Sequence, residues 1–450
     1  MSNPSQLTTG PITSQLLRLC LPLLAANVLQ QLYNMINALV VTHYLGHDAF
    51  AALGVAESVM NLFIYVITGA CMGASVLIAR FYGEGNLPKL RQQLFVSGVL
   101  IGGATLVAVA LVLLFLPQLL ALIQTPTELM VHVSSYLQIV LVGMIFTFAY
   151  NYLASTLRAV GNTKAALGFL LLSLGYNLVA AWVLVAVLDL GIQGTALATA
   201  TAQLLSALLC YLYLRKKMPH LMMGREDMKL DGMLMRLTIS YGAVAALQQS
   251  SLYLGKLMVQ SAVNGIGTTA ISAFTATTRI ENFSQAFGIS GCEAIAIFVA
   301  QNQGAGKYRR ATQGFYRGGA IVVGIGVLFS FLLSLGGHIL VLPFLNGEPD
   351  AIVLGTSYLR WMGLFYFLSF IGHVYVGHYR GIGRMNITFW GTTIQIAVRV
   401  VFTYLLVGAM GLDAVAFATG LGWLVIVLFH STVYYLERKG IGYPIQQEVE

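Results

Sequence analysis

The chain repeats itself at a nearly constant interval, and this duplication narrows its possible architectures more than any single motif does. Leu17-Arg18-Leu19 with Gln30-Gln31 returns as Met235-Arg236-Leu237 with Gln248-Gln249, 218 residues later. Ala79-Arg80-Phe81-Tyr82-Gly83-Glu84-Gly85 returns as Ala300-Gln301-Asn302-Gln303-Gly304-Ala305-Gly306, offset by 221. Ser135-Tyr136-Leu137 matches Ser357-Tyr358-Leu359, and Arg158 with Gly161 matches Arg380 with Gly383, both offset by 222. Gly191, Ala196, Ala198 and Thr199 match Gly411, Ala416, Ala418 and Thr419, offset by 220. Such a sequence folds as two similar units. The basic link from Arg215 to Lys229 is the natural boundary, giving halves 1–220 and 221–450.

Lipid must solvate much of both halves. Only 9% of the residues are charged and 58% are hydrophobic, too little charge to cover a water-soluble surface of this length. Hydropathy gives twelve spans, at 16–45, 53–79, 93–117, 131–156, 164–187, 191–214, 234–262, 271–300, 315–345, 353–380, 386–409 and 411–436. The first apolar run is too long for a cleaved signal peptide and is read as span 1. The net charge of +8 raises the question of nucleic acid, but its distribution answers for a membrane. Arg80, Lys89 and Arg91, then Arg158 and Lys164, Arg215 to Lys229, Lys307 to Arg310, and Arg380 with Arg384 fill every second connection. The other connections carry acids alone, such as Asp48, Glu128, Asp189 and Asp350. This positive-inside pattern puts both termini in the cytoplasm. Six spans per repeat, an even number, insert both copies the same way up, with a pseudo-two-fold axis along the membrane normal. The expected fold is therefore an all-α integral membrane protein: twelve transmembrane helices in two pseudo-two-fold related six-helix bundles around a central cleft. Such a cleft permits rocking between inward-open and outward-open states.

The repeated motifs carry a resemblance. Leu29-Gln30-Gln31-Leu32-Tyr33-Asn34 stands in span 1 and Leu157-Arg158-Ala159-Val160-Gly161-Asn162-Thr163-Lys164 follows span 4. Arg279-Ile280-Glu281-Asn282-Phe283 and Phe298-Val299-Ala300-Gln301-Asn302-Gln303-Gly304-Ala305-Gly306-Lys307 stand in and after span 8. In this order and spacing the chain resembles the multidrug and toxic compound extrusion (MATE) transporters, within the multidrug/oligosaccharidyl-lipid/polysaccharide flippase superfamily, over nearly its whole length. The resemblance implies an antiporter of the bacterial cytoplasmic (inner) membrane, exporting small organic compounds against an inward flow of H+ or Na+. It implies no other cofactor, and the expected working form is a monomer in the lipid bilayer. The chain departs from the family in one important respect. Where the family usually carries an aspartate in span 1 stands Asn37, and where span 5 commonly has an acid four residues after an asparagine, Asn177 is followed by Ala181. An amide does not exchange a proton near neutral pH. Coupling elsewhere, weak coupling and a substituted variant all remain open on this point.

Charge inside the bilayer costs about 2.5–3.5 kcal/mol per residue on insertion scales, so each buried charge is a functional candidate. The first half has none well inside a span; Glu57 lies about one turn from the outer end of span 2 and should reach the surface. The second half has Lys256, Arg279, Glu281, Glu293 and Arg399. Glu281 is ten residues into span 8, about 15 Å deep at 1.5 Å per residue. Arg279 and Glu281 point to different helix faces, so partners must come from other helices. The charges either form a fixed ion-pair network, or Glu281 or Glu293 binds a coupling ion with Lys256 and Arg399 as companions. Gln30, Tyr33, Asn34 and Asn37 share one helical stripe, with Gln248 and Gln249 at the matching place of the other half. With Asn177 they are candidates to line the cavity, helix-packing hydrogen bonds being the alternative.

Other chemistry finds little support. Gly304-Ala305-Gly306-Lys307 resembles a fragment of a phosphate loop, but Tyr308 follows where a metal-binding Ser or Thr is needed, and the motif repeats as a turn at Gly83-Glu84-Gly85. No nucleotide site, metal site, nucleic-acid partner or catalytic constellation is expected, and so no enzyme. The principal rival is a flippase of lipid-linked precursors, whose cleft would need cationic side chains that spans 1 to 6 do not provide. In inverted vesicles under an imposed proton or sodium gradient, Asn37→Asp is expected to create or strengthen gradient-dependent dye efflux. An unchanged gradient dependence would show that Asn37 is not a vacated coupling position.

Overall fold

A computed structural model describes residues 7–123, 125, 129–345 and 347–440, apart from the side chains of 33–52. Helices and turns make up the described residues, with no strand among them. The physical reason is the solvent: a hydrocarbon phase offers no partners to backbone N–H and C=O groups, and a helix satisfies them within one segment. The helices are α1 (Ile12–Glu84), α2 (Leu87–Leu114), α3 (Leu116–Leu122), α4 (Met130–Ala159), α5 (Thr163–Trp182, continued by a π-helical turn at Val183–Val187) and α6 (Gly191–Lys217). The second half supplies α7 (Gly232–Asn264), α8 (Thr268–Gly304), α9 (Tyr308–Val341), α10 (Pro349–Gly381), α11 (Met385–Met410) and α12 (Asp413–Arg438).

Among the described residues, eleven helical stretches are long and apolar enough to cross a bilayer, including Ile12–Leu32 and Leu53–Glu84 within α1. The expected seventh span corresponds to α7, which is 33 residues long but less apolar, because Gln248-Gln249-Ser250-Ser251 and Lys256 interrupt it. The chain is a multi-pass membrane protein.

The duplication is visible in backbone geometry. Gly85 and Gly306, at equivalent places of the two repeats, both turn the chain with φ +70°, and Gly161 and Gly383 do so with φ +89° and +82°. A left-handed turn of this kind favours glycine, which explains why these residues recur in both copies. In the first half, asparagine caps the helix that follows: Asn86 accepts from the Lys89 N–H at 3.1 Å and Asn162 from the Ala165 N–H at 3.3 Å. The packing scheme is also repeated. In the first half α4 packs on α2 and α6, and α5 on α6; in the second, α10 packs on α9 and α12, and α11 on α12.

The compact units divide the chain differently from the sequence repeats. One unit comprises Ala25–Gln249 and the other Leu7–Leu24 with Ser250 onward, so the opening stretches of α1 and α7 each pack in the unit built from the opposite repeat. The α7 stretch is held by very close backbone approach. A Cβ added at Gly73 would lie 2.4 Å from the Tyr241 carbonyl oxygen, and one at Gly69 would lie 2.7 Å from that of Ala245. Small residues of this kind let transmembrane helices pack without a hydrophobic drive. Gln93 adds a buried hydrogen bond from Nε2 to Thr238 Oγ1, 2.8 Å. Gly73→Ala is therefore expected to lower stability in detergent by about 1–3 kcal/mol, as overpacking does. Gly103→Ala, which meets nothing within 4 Å, should leave the midpoint of thermal unfolding unchanged or slightly raised. Equal effects of the two substitutions would contradict this packing.

Candidate functional site

The polar residues singled out by sequence fall into two sets, one in each unit. Gln30, Asn177, Gln248 and Gln249 all belong to the Ala25–Gln249 unit. Gln30 and Gln249 are half-buried, and Gln248 and Asn177 are buried. Asn177 on α5 donates through Nδ2 to Thr199 Oγ1 on α6 at 3.4 Å, and Ala181, one turn further, is buried without a polar group. Tyr33, Asn34 and Asn37 lie outside the residues whose side chains are described. Gln248 and Gln249, expected at the matching place of the other bundle, thus share a unit with Gln30, because α7 contributes its first stretch to that unit.

Lys256, Glu281, Glu293 and Arg399 belong to the other unit. Lys256 is exposed on α7, and Glu281 and Glu293 on α8 and Arg399 on α11 are half-buried. Thirteen residues separate Thr268, where α8 begins, from Glu281, which puts the carboxylate about 20 Å along the helix. The helix starts three residues before the expected span.

Next to Glu281 along α8, side chains of α8 and α10 form a polar cluster. The Ser284 and Tyr366 hydroxyls share a hydrogen bond, and Ser284 donates to the Glu281 carbonyl at 3.0 Å. One turn on, Gln285 Nε2 donates to Ser369 Oγ at 3.0 Å, and the Ser369 carbonyl lies 2.8 Å from His373 Nδ1. Trp423 meets the Tyr366 ring edge-on, with centroids 5.4 Å apart. These contacts fix the helices at the level of Glu281. Tyr358 is different: it is fully buried against the Phe274 ring, and its hydroxyl has no hydrogen-bond partner among the described residues. Arg399 Nε is likewise buried without a partner.

The expectation that Arg279 and Glu281 find ionic partners on other helices is corrected here. Among the described residues, Lys256, Arg279, Glu281 and Arg399 make no ion pair within 4.0 Å. Arg279 and Lys256 are exposed, whereas Glu281 is half-buried. An ion pair with a buried carboxylate joins Arg384, after α10, to Glu437 near the end of α12. Neither Tyr358 nor Tyr366 was among the candidate site residues read from the sequence. A signal for Tyr358 was available, since it is the centre of a Ser-Tyr-Leu triplet that occurs in both repeats.

Comparison with known proteins agrees with the duplication. The MatE family model matches twice, over residues 22–183 and 245–405. Relatives include the probable multidrug resistance protein YpnP of Bacillus subtilis, 25% identical over 93% of each chain. The multidrug export protein MepA of Staphylococcus aureus is 21% identical over 98% of this chain and 97% of its own. Among solved structures, a MATE protein crystallised in a bent conformation superimposes with a TM-score of 0.90 at 20% identity, covering 98% of both chains. An outward-facing multidrug resistance MATE transporter of the MOP superfamily gives 0.86 at 19% identity, over 97% of this chain and 98% of that one.

The two tyrosines of the cluster should respond differently to loss of the hydroxyl. Tyr366→Phe removes the hydrogen bond between the two hydroxyls and is expected to cost about 0.5–1.5 kcal/mol. Tyr358→Phe removes a buried hydroxyl that has no partner, so stability should hold or rise. Thermal unfolding in detergent checks the pair; a larger loss for Tyr358→Phe would contradict the arrangement.

Proposed function

The chain belongs to the MatE family, a family of transporters and not of enzymes, and from that premise we propose that it exports small organic compounds, amphipathic or cationic, by alternating access coupled to inward H+ or Na+. The observation that carries the reading is likeness along the full chain, in both repeats, to proteins named for multidrug resistance and export. The bacterial origin of those relatives and the cytoplasmic clustering of Lys and Arg support placement in the inner membrane with both termini inside. The working form is taken as a monomer.

The coupling site is proposed to lie in the unit that contains α8. The amide set around Asn177 has no group that gains or loses a proton near neutral pH, whereas Glu281 has no counter-ion within 4.0 Å among the described residues. A deep carboxylate lacking a fixed ionic partner is a place where a proton or small cation binds. Arg399, half-buried on α11 of the same unit, is the candidate competing positive charge that favours release. Glu293 is the second candidate. A flippase of lipid-linked precursors is the less favoured reading, since the relatives' names refer to drug export.

Dye efflux from inverted vesicles under imposed proton or sodium gradients tests the reading. Glu281→Gln should abolish gradient-dependent efflux at normal expression, and labelled lipid should not flip in proteoliposomes. Unchanged coupled efflux in Glu281→Gln would remove this residue from the mechanism, and lipid flipping without dye export would favour the rival.

A further inference from the structure

The segment joining α6 to α7 carries its charge differently from the other basic connections. In each of those, at least one cation is held by the protein itself. Arg80 pairs with Glu84 at 3.5 Å, and Lys89 lies over the Phe81 ring. Arg158 Nη2 donates to Ser155 Oγ at 3.1 Å, Lys307 Nζ to the Thr8 carbonyl at 3.0 Å, and Arg384 pairs with Glu437. Between α6 and α7, Arg215, Lys216, Lys217, Arg225 and Lys229 are all exposed. None of them makes an ion pair within 4.0 Å among the described residues. The neighbouring acids are turned to structural use. Asp227 Oδ2 lies 4.0 Å from Arg91 Nη1 and accepts from the Gly224 N–H at 2.8 Å. Asp231 Oδ1 accepts from the Leu234 N–H at 2.9 Å, at the start of α7.

One side of this segment is fixed and the other is open. The turn Pro219–Leu221 packs on α2 and α6, with Met218 and Leu221 buried. Arg91 Nε donates to the His220 carbonyl at 2.8 Å, and Gln92 Nε2 to that of Lys229 at 3.4 Å. The open side presents Met223, Met228, Leu230 and Met233, all exposed and interleaved with the cations. Because α6 ends and α7 begins at one membrane face, the segment runs at the level of the lipid headgroups. Lys and Arg at that level attract acidic headgroups. Apolar side chains beside them gain by reaching the boundary of the acyl chains. Methionine suits such a role, being flexible enough to follow an irregular lipid surface.

We infer that Arg215–Met233 is a binding surface for acidic phospholipids, its cations taking the headgroup phosphates and its Met and Leu side chains the upper acyl region. This surface is independent of the exported cargo and of the coupling ion. It requires only that α6 and α7 meet at a membrane face, and it gives a use to the basic link beyond joining the repeats.

A local reporter tests the assignment in the full chain. Met228→Cys, in a chain whose Cys20, Cys71, Cys210 and Cys292 are replaced by Ser, is labelled with bimane and reconstituted in phosphatidylcholine bilayers. Brominated phosphatidylglycerol is expected to quench the label about threefold more effectively than brominated phosphatidylcholine at equal mole fraction. Lys216→Gln with Lys217→Gln should bring the two lipids close to parity. Lys164→Gln with Arg309→Gln, which removes two exposed cations of other connections, should leave the preference intact. A further measurement needs no change of charge: raising NaCl should weaken the preference several-fold, because mobile ions screen exposed cations. Equal quenching by the two lipids in the unsubstituted link, or a preference indifferent to salt, would overturn the assignment. Equal losses in the two double variants would also overturn it, since net charge and not this surface would then attract the lipid. Abolition of the preference by inorganic phosphate at constant ionic strength would assign the cations to a soluble anion instead.

Discussion

A hydrocarbon solvent offers no hydrogen bonds and little shielding, and this constraint shapes nearly every feature of the chain. It forces the backbone into helices, restricts left-handed glycines to the turns between them, and makes close approach through small residues the main means of holding helices together. Gly69 and Gly73 show the last point most directly, since neither has room for a methyl group beside α7. The same constraint makes polar groups inside the bundles informative. Those that pack helices are paired, as Gln93 is with Thr238 and Ser284 with Tyr366. Among the described residues the Tyr358 hydroxyl has no partner and Glu281 makes no ion pair within 4.0 Å, and such polarity inside a helix bundle needs another justification.

The two repeats have taken this constraint in different directions. They share turns, helix pairings and a buried tyrosine at the same position, yet charge survives in only one. Asn177 and Arg399 occupy equivalent places, the first hydrogen-bonded to a threonine and the second carrying a partly unsatisfied guanidinium. Duplicated scaffolds tolerate such divergence because the packing residues and the charged residues are separate. The exchange of the opening stretches of α1 and α7 adds a second asymmetry. The α7 stretch is held by backbone-to-backbone contact between glycine and small residues, whereas the α1 stretch is held by long cationic side chains reaching backbone carbonyls.

Much of the fold was legible because the signals were local. Apolar runs, basic connections and recurring glycines specify spans and turns without tertiary information, and Gly85 with Gly306 or Gly161 with Gly383 could be paired by offset alone. The seventh span was also legible as a helix, although its polar middle leaves it less apolar than the others. The site was harder to read. Charges in spans were visible at once, but their partners depend on helix rotation, and among the described residues Glu281 makes no ion pair within 4.0 Å with the cations nearest it in sequence. Gln248 and Gln249 illustrate a further limit: the repeat assigns them by homology to one half, while packing assigns them to the other unit. Nothing in periodicity signals that exchange, because the apolar stripe of a helix does not name the surface it will meet.

The central claim is that this chain moves its cargo as an exchanger whose single site faces one side of the membrane at a time. Counterflow in proteoliposomes tests this most directly, with purified protein, excess unlabelled cationic dye inside and a trace of labelled dye outside. An alternating-access transporter predicts a transient uphill accumulation of label, lost when the internal dye is omitted. Downhill equilibration at the same rate with and without internal dye would contradict it, since a pore behaves in that way.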